Sequence, residues 1–71
     1  MKKILVTGAT GFLGSRLLER LAKQPEVHVV AIGRTLKPYN TVEADNIHYA
    51  LGDLSDSKFV EGVMEGVDAV V

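Results

Sequence analysis

The pattern of this sequence predicts an α/β fold, a parallel β-sheet with helices on its faces. Three observations carry that expectation. Short apolar runs rich in valine and isoleucine alternate with longer runs whose apolar residues recur every three or four positions. The first apolar run, Ile4-Leu5-Val6, leads into a helix-patterned segment through a turn with glycines at 8, 11 and 14. No long hydrophobic stretch, charge block or low-complexity segment interrupts the alternation.

Residues 3–7 read as a buried parallel strand, short, continuous and β-branched. Residues 13–23 read as a helix. Leu13, Leu17 and Leu21 repeat at i+4, and Leu18 and Ala22 widen the stripe into a core-facing side. Ser15, Arg16, Glu19, Arg20 and Lys23 fall on the opposite, solvated side, and Pro25 helps to end the helix. Residues 27–32 form the second strand, closed by Gly33-Arg34. Residues 35–46 are polar and irregular, a long connection with at most one weak helical turn. Residues 47–51 form the third strand, closed by Gly52-Asp53. Asp56 is placed to N-cap a helix running to about Glu65, with Phe59, Val60, Val63 and Met64 as its apolar stripe. Gly66 suits a left-handed C-terminal cap, and residues 67–71 open a fourth strand. The order implies a parallel sheet with right-handed crossovers, and the strand order expected of such a doubly wound sheet is 3-2-1-4, with a ligand crevice between the first and fourth strands. This is the first half of a Rossmann-type sheet, about four strands, and the whole chain of 71 residues is expected to be a truncated amino-terminal part of such a domain.

The turn Val6-Thr7-Gly8-Ala9-Thr10-Gly11-Phe12-Leu13-Gly14 has the spacing G-x-x-G-x-x-G. A strand, a tight glycine turn and a helix start together make an anion site. The first N–H groups of the helix have no internal acceptor, and the helix dipole favours negative charge there. Backbone N–H groups of Phe12 and Leu13 are therefore candidates to hold a pyrophosphate, with Gly8, Gly11 and Gly14 clearing space and Thr10 adding a hydroxyl. A glycine-rich turn that binds nothing is the plain structural alternative.

The spacing differs from the commoner G-x-G-x-x-G. With Thr7 and the Phe12-Leu13 pair, it resembles the short-chain dehydrogenase/reductase superfamily. The closer resemblance is to its extended branch of NAD(P)-dependent nucleotide-sugar epimerases, dehydratases and reductases. The atypical branch, which includes non-catalytic NADP sensors, is also similar. An NAD-preferring site usually has an acid about 20 residues past the motif. Here that position is Gly33, 19 residues after Gly14, followed by Arg34. Without the acid there is nothing to repel a 2′-phosphate, and a guanidinium can clamp it, with Thr35 and Lys37 assisting. This favours NADP(H) as cofactor. The alternative is that Arg34 is an ordinary loop residue and NAD is held by other contacts. The resemblance also implies that Asp53 accepts from the adenine amino group and that the Leu54 N–H donates to an adenine ring nitrogen. By spacing alone, Asp53 serves equally as a turn or helix-entry residue.

Hydrophobic residues make up 46% of the chain, charged residues 24%, and the net charge is −1, which gives no basic patch for nucleic acid and no polybasic membrane signal. With no cysteine there is no disulfide, thiol catalysis or cysteine metal site. Lys2-Lys3 precedes an apolar run too short for a signal peptide or membrane span, so a cytoplasmic protein is expected. His28 and His48 lack metal-ligand spacing and read as structural. The family's catalytic Tyr-x-x-x-Lys is not met: Glu43 stands four after Tyr39, and Asp53 four after Tyr49. The chain thus carries cofactor-binding residues and no catalytic set. Three functions remain open: the cofactor-binding part of an enzyme, an NADP(H) sensor, or a half-domain that self-associates into a homo-oligomer through its sheet edge.

Overall fold

The structure, a computed structural model, describes residues 2–35 and 41–71. Its elements in chain order are β1 (Lys2–Val6), α1 (Phe12–Leu21), β2 (Val27–Gly33), β3 (Ile47–Leu51), α2 (Ser57–Met64) and β4 (Ala69–Val70). The strands form one sheet in the order β3-β2-β1-β4, and every pairing is parallel. The chain moves outward from β1 to β3 and then returns past β1 to β4. That reversal puts the crevice of a Rossmann-type sheet at the carboxyl ends of the strands.

Side chains alternate between the faces of a strand, and here both faces are buried in the middle of the sheet. Val6, Val29, Ala31 and Ile47 meet Leu18 of α1 on one face. Leu5 and Ile32 are out of phase with them and are buried on the other. Lys3 shares the Leu5 face, and its Nζ donates to the Glu65 carbonyl just past α2 at 2.7 Å. That bond places α2 on the face opposite α1, as right-handed crossovers in opposite directions require. Leu18, Ile32, Val6 and Val29 are the largest fully buried side chains, each contributing about 1.5–3 kcal/mol by leaving water.

The phase of α1 differs from the sequence expectation. Leu13 is 81% exposed instead of facing the core, while Ser15 is buried to 7% instead of solvated. The cause is the turn before the helix. Gly14 lies against Gly8 and Ala9, so positions 14 and 15 face the sheet and Leu18 follows them one turn later. Ser15 is tolerated there because its hydroxyl donates to the Phe12 carbonyl at 2.8 Å. α2 begins as expected: the Asp56 carboxylate accepts from the N–H groups of Lys58 and Phe59 at 3.1 and 3.4 Å. Gly66 has φ +73°, the left-handed conformation foreseen for the cap.

No helix covers the sheet between β2 and β3 among the described residues. Val42 and Ala44 pack on the core there instead, and the Val42 N–H donates to the Tyr49 hydroxyl at 2.9 Å. The Asn46 side-chain amide lies 2.9–3.0 Å from the carbonyls of Leu21, Gln24 and Val27. One side chain thereby joins the end of α1, the start of β2 and the approach to β3. Lys37 and Tyr39, both weighed in the sequence, lie outside the described residues.

Candidate functional site

The glycine turn sits at the carboxyl end of β1. Gly8 adopts φ +62°, which a residue with a Cβ rarely takes. The Gly11 N–H donates to the Gly8 carbonyl at 3.1 Å, closing the turn, and the Ser15 N–H donates to the Gly11 carbonyl at 3.0 Å as the first helical bond of α1. Gly11 is the N-cap and offers no side-chain acceptor, and the first turn of the helix has no acidic residue. The N-terminal donors of α1 therefore lack the usual protein caps, which is what an anion site at a helix start needs. Gly14 is required by close approach: a Cβ there would lie 2.7 Å from Ala9 Cα and would also meet the Gly8 carbonyl.

A second set of contacts joins this turn to the ends of β2 and β3. The Ala9 N–H donates to the Ile32 carbonyl at 3.0 Å, and the Gly52 N–H donates to the Gly33 carbonyl at 3.0 Å. Between them lies a cleft of about 150 Å³ lined by Gly8, Ile32, Gly33, Arg34, Gly52, Asp53 and Leu54. Four residues singled out in the sequence, Gly8, Arg34, Asp53 and Leu54, thus share one wall. Thr10 lies over Gly33. Phe12 and Leu13 are 65% and 81% exposed at the helix start, and the Arg16 guanidinium lies 5.1 Å from the centre of the Phe12 ring.

Arg34 Nη2 is 3.7 Å from Asp53 Oδ1, across the ends of two neighbouring strands. Both side chains are exposed, so the pair orients more than it stabilises. Asp53 Oδ1 also accepts from the Ser55 N–H at 2.9 Å. Hydrogen bonds from the Ser55 backbone and hydroxyl, and then the Arg34 guanidinium, hold the Asp53 carboxyl below the usual carboxylate range. Asp53 is therefore charged at neutral pH, an acceptor fixed by a turn at the edge of the cleft.

A family model described as the NAD-dependent epimerase/dehydratase family matches residues 4–71. This chain belongs to that family. A UDP-glucose 4-epimerase of Streptococcus mutans is 31% identical to it over 71 residues, covering 96% of this chain and 21% of the epimerase. An epimerase from Methanothermobacter thermautotrophicus superposes with a TM-score of 0.86 at 33% identity, covering 97% of this chain and 21% of that one. The Bordetella bronchiseptica enzyme WbmH, solved in complex with NAD+, superposes with a TM-score of 0.84 at 28% identity over 99% of this chain and 24% of its own. This sequence thus spans about a fifth to a quarter of the length of these relatives.

In this family member, several residues that shape the site had no site role in the sequence reading, Thr7 having entered only as part of the motif. Ile32 and Gly52 line the cleft. Thr7 holds the switch point: its N–H and hydroxyl both bind the Val71 carbonyl at 2.9 Å, fastening the end of β4 beside the glycine turn. Ser55 fixes Asp53. A Ser two residues after an Asp is a turn signal that could have been read. The Thr7 contact spans 64 positions and has no local signature. No group of three or more metal-ligating side chains occurs among the described residues, and no described helix is long and apolar enough to cross a membrane.

Proposed function

We propose that the turn and cleft bind the pyrophosphate and adenosine end of a dinucleotide, NADP(H) in preference to NAD(H). The parent activity we propose is that of an epimerase, dehydratase or reductase acting on a nucleotide-activated sugar or a related carbonyl or alcohol. The observation that carries this reading is the start of α1, which has no side-chain cap and no acid in its first turn, held against a left-handed Gly8 turn by the close approach of Gly14. A cleft of about 150 Å³ is smaller than whole ligand sites of roughly 300–1,000 Å³, which suits one end of a long cofactor.

Each residue has one task in this reading. The N–H groups of Phe12 and Leu13 meet the pyrophosphate oxygens, Gly8 and Gly11 let the backbone approach them, and Gly14 lets the helix pack against the turn. The Arg34 guanidinium reaches the ribose 2′-phosphate, since Gly33 offers no carboxylate to repel it. Asp53 accepts from the adenine amino group, the Leu54 N–H faces the ring, and the exposed Leu54 side chain adds an apolar rim. A nicotinamide cofactor supplies a hydride donor or acceptor. The S. mutans relative, a UDP-glucose 4-epimerase, supports the nucleotide-sugar class.

The test is a fluorescence titration of the intact protein with NADPH and NADH, followed by assays with UDP-sugars. NADPH binding at least 10-fold tighter than NADH supports the reading. Equal affinities, or tighter NADH binding, reject the NADP(H) preference, and failure to bind either rejects the site.

A further inference from the structure

We infer that Thr10 sets cofactor selectivity, because its side chain occupies the space that an acid at the end of β2 would need. The inference rests on the dinucleotide reading above and concerns the same cleft. A Cβ on Gly33 would collide with the Thr10 methyl, and would also lie 2.9 Å from Thr10 Oγ1 and 3.2 Å from Thr10 Cβ. These are the atoms of a short, β-branched side chain with restricted χ1, and rotation that turns the hydrogen toward Gly33 still leaves one branch and the Thr10 Cβ, at 3.2 Å, on that side. Backbone retreat is also resisted. Ala9 on one side is fully buried and bonded to the Ile32 carbonyl, and Gly11 on the other is bonded to the Gly8 carbonyl.

An NAD-type site presents its ribose-binding carboxylate from the end of this strand. In this chain the strand carries no acid there, and the Thr10 side chain lies where one would begin. The ribose edge is left to Arg34, tethered beside the cleft by Asp53 at 3.7 Å. Selectivity is therefore a property of the pair formed by positions 10 and 33, and neither position alone is expected to convert it.

The experiment uses the intact protein and its Thr10→Ala, Gly33→Asp and Thr10→Ala/Gly33→Asp variants, titrated with NADPH and NADH. Gly33→Asp alone is expected to bind both cofactors at least 10-fold more weakly than the parent. Adding Thr10→Ala is expected to restore NADH binding by 10-fold or more over Gly33→Asp, with NADPH still weak. An NADH gain from Gly33→Asp alone, or no gain on adding Thr10→Ala, overturns the inference. Should Gly33→Asp fail to fold, melting of Gly33→Ala with and without Thr10→Ala reads the same contact. A lower melting temperature that Thr10→Ala partly restores supports the inference, and unchanged melting overturns it. A parent protein that binds neither dinucleotide sinks the cofactor reading and this inference together. Selective NADPH binding by the parent without coupling between positions 10 and 33 sinks this inference alone.

Discussion

Replacing Gly14 by alanine sets two effects of opposite sign against each other. Alanine is the better helix former, by about 1 kcal/mol over glycine, and position 14 lies in the first turn of α1. Against this, the new Cβ would lie 2.7 Å from Ala9 Cα, where carbon atoms prefer at least about 3.5 Å, so the helix start and the turn must part by roughly 0.8 Å. The atoms it meets are backbone, and Ala9 is fully buried with its N–H committed to the Ile32 carbonyl at 3.0 Å. Overpacking of this kind costs about 1–3 kcal/mol, and stretching the Ala9 bond adds about 1 kcal/mol. The collision outweighs the propensity gain, for a net loss of about 1–3 kcal/mol. The same displacement moves the N–H groups of Phe12 and Leu13, which are proposed to hold the pyrophosphate. Urea unfolding of Gly14→Ala should give a lower midpoint at unchanged slope, and NADPH affinity should fall by 10-fold or more. A variant at least as stable as the parent, with parental NADPH affinity, would show that the turn relaxes freely and would refute the reasoning.

Three further outcomes follow from the same geometry. Arg34→Ala should weaken NADPH by about 1.5–3 kcal/mol, the range for a hydrogen-bonded charged group, and leave NADH nearly unchanged in parallel titrations. Asn46→Ala removes the donors facing three carbonyls and should lower stability by about 1–3 kcal/mol in urea without altering the NADPH-to-NADH preference. The Asp53 carboxyl has a lowered pKa in the folded chain, so its contribution is present above the unfolded value near 3.9 and lost as pH falls through the folded one. Melting measured from pH 5 downward should therefore decline less steeply in Asp53→Asn than in the parent.

The alternation of apolar runs made the element order legible, and Asp56 and Gly66 marked both α2 caps, because these rest on local signals; the sheet order followed from the general rules of parallel α/β folds. The phase of α1 was not legible. Its leucines at 13, 17, 18 and 21 allow two rotations of the helix, and the choice is made by Gly14 lying against Gly8 and Ala9. The candidate residues Gly8, Arg34, Asp53 and Leu54 were individually readable, and they converge on one cleft. The facing of Arg34 and Asp53 was hidden, because it follows from the β2–β3 register that pairs Gly33 with Leu51. Asn46 looked like one more polar loop residue. Its role exists only once the end of α1 and the start of β2 stand beside it.

The contact between Thr10 and Gly33 also has a consequence for how such a site changes over generations. A side chain gained at position 33 while Thr10 is present meets a collision, whereas shrinking residue 10 first meets none. On the cofactor reading proposed above, the path from one dinucleotide to the other then has a required order, with the turn losing bulk before the strand gains an acid. Lineages that took the first step would be free to drift in either direction. Those that kept the threonine would keep the end of the strand closed to any residue with a side chain.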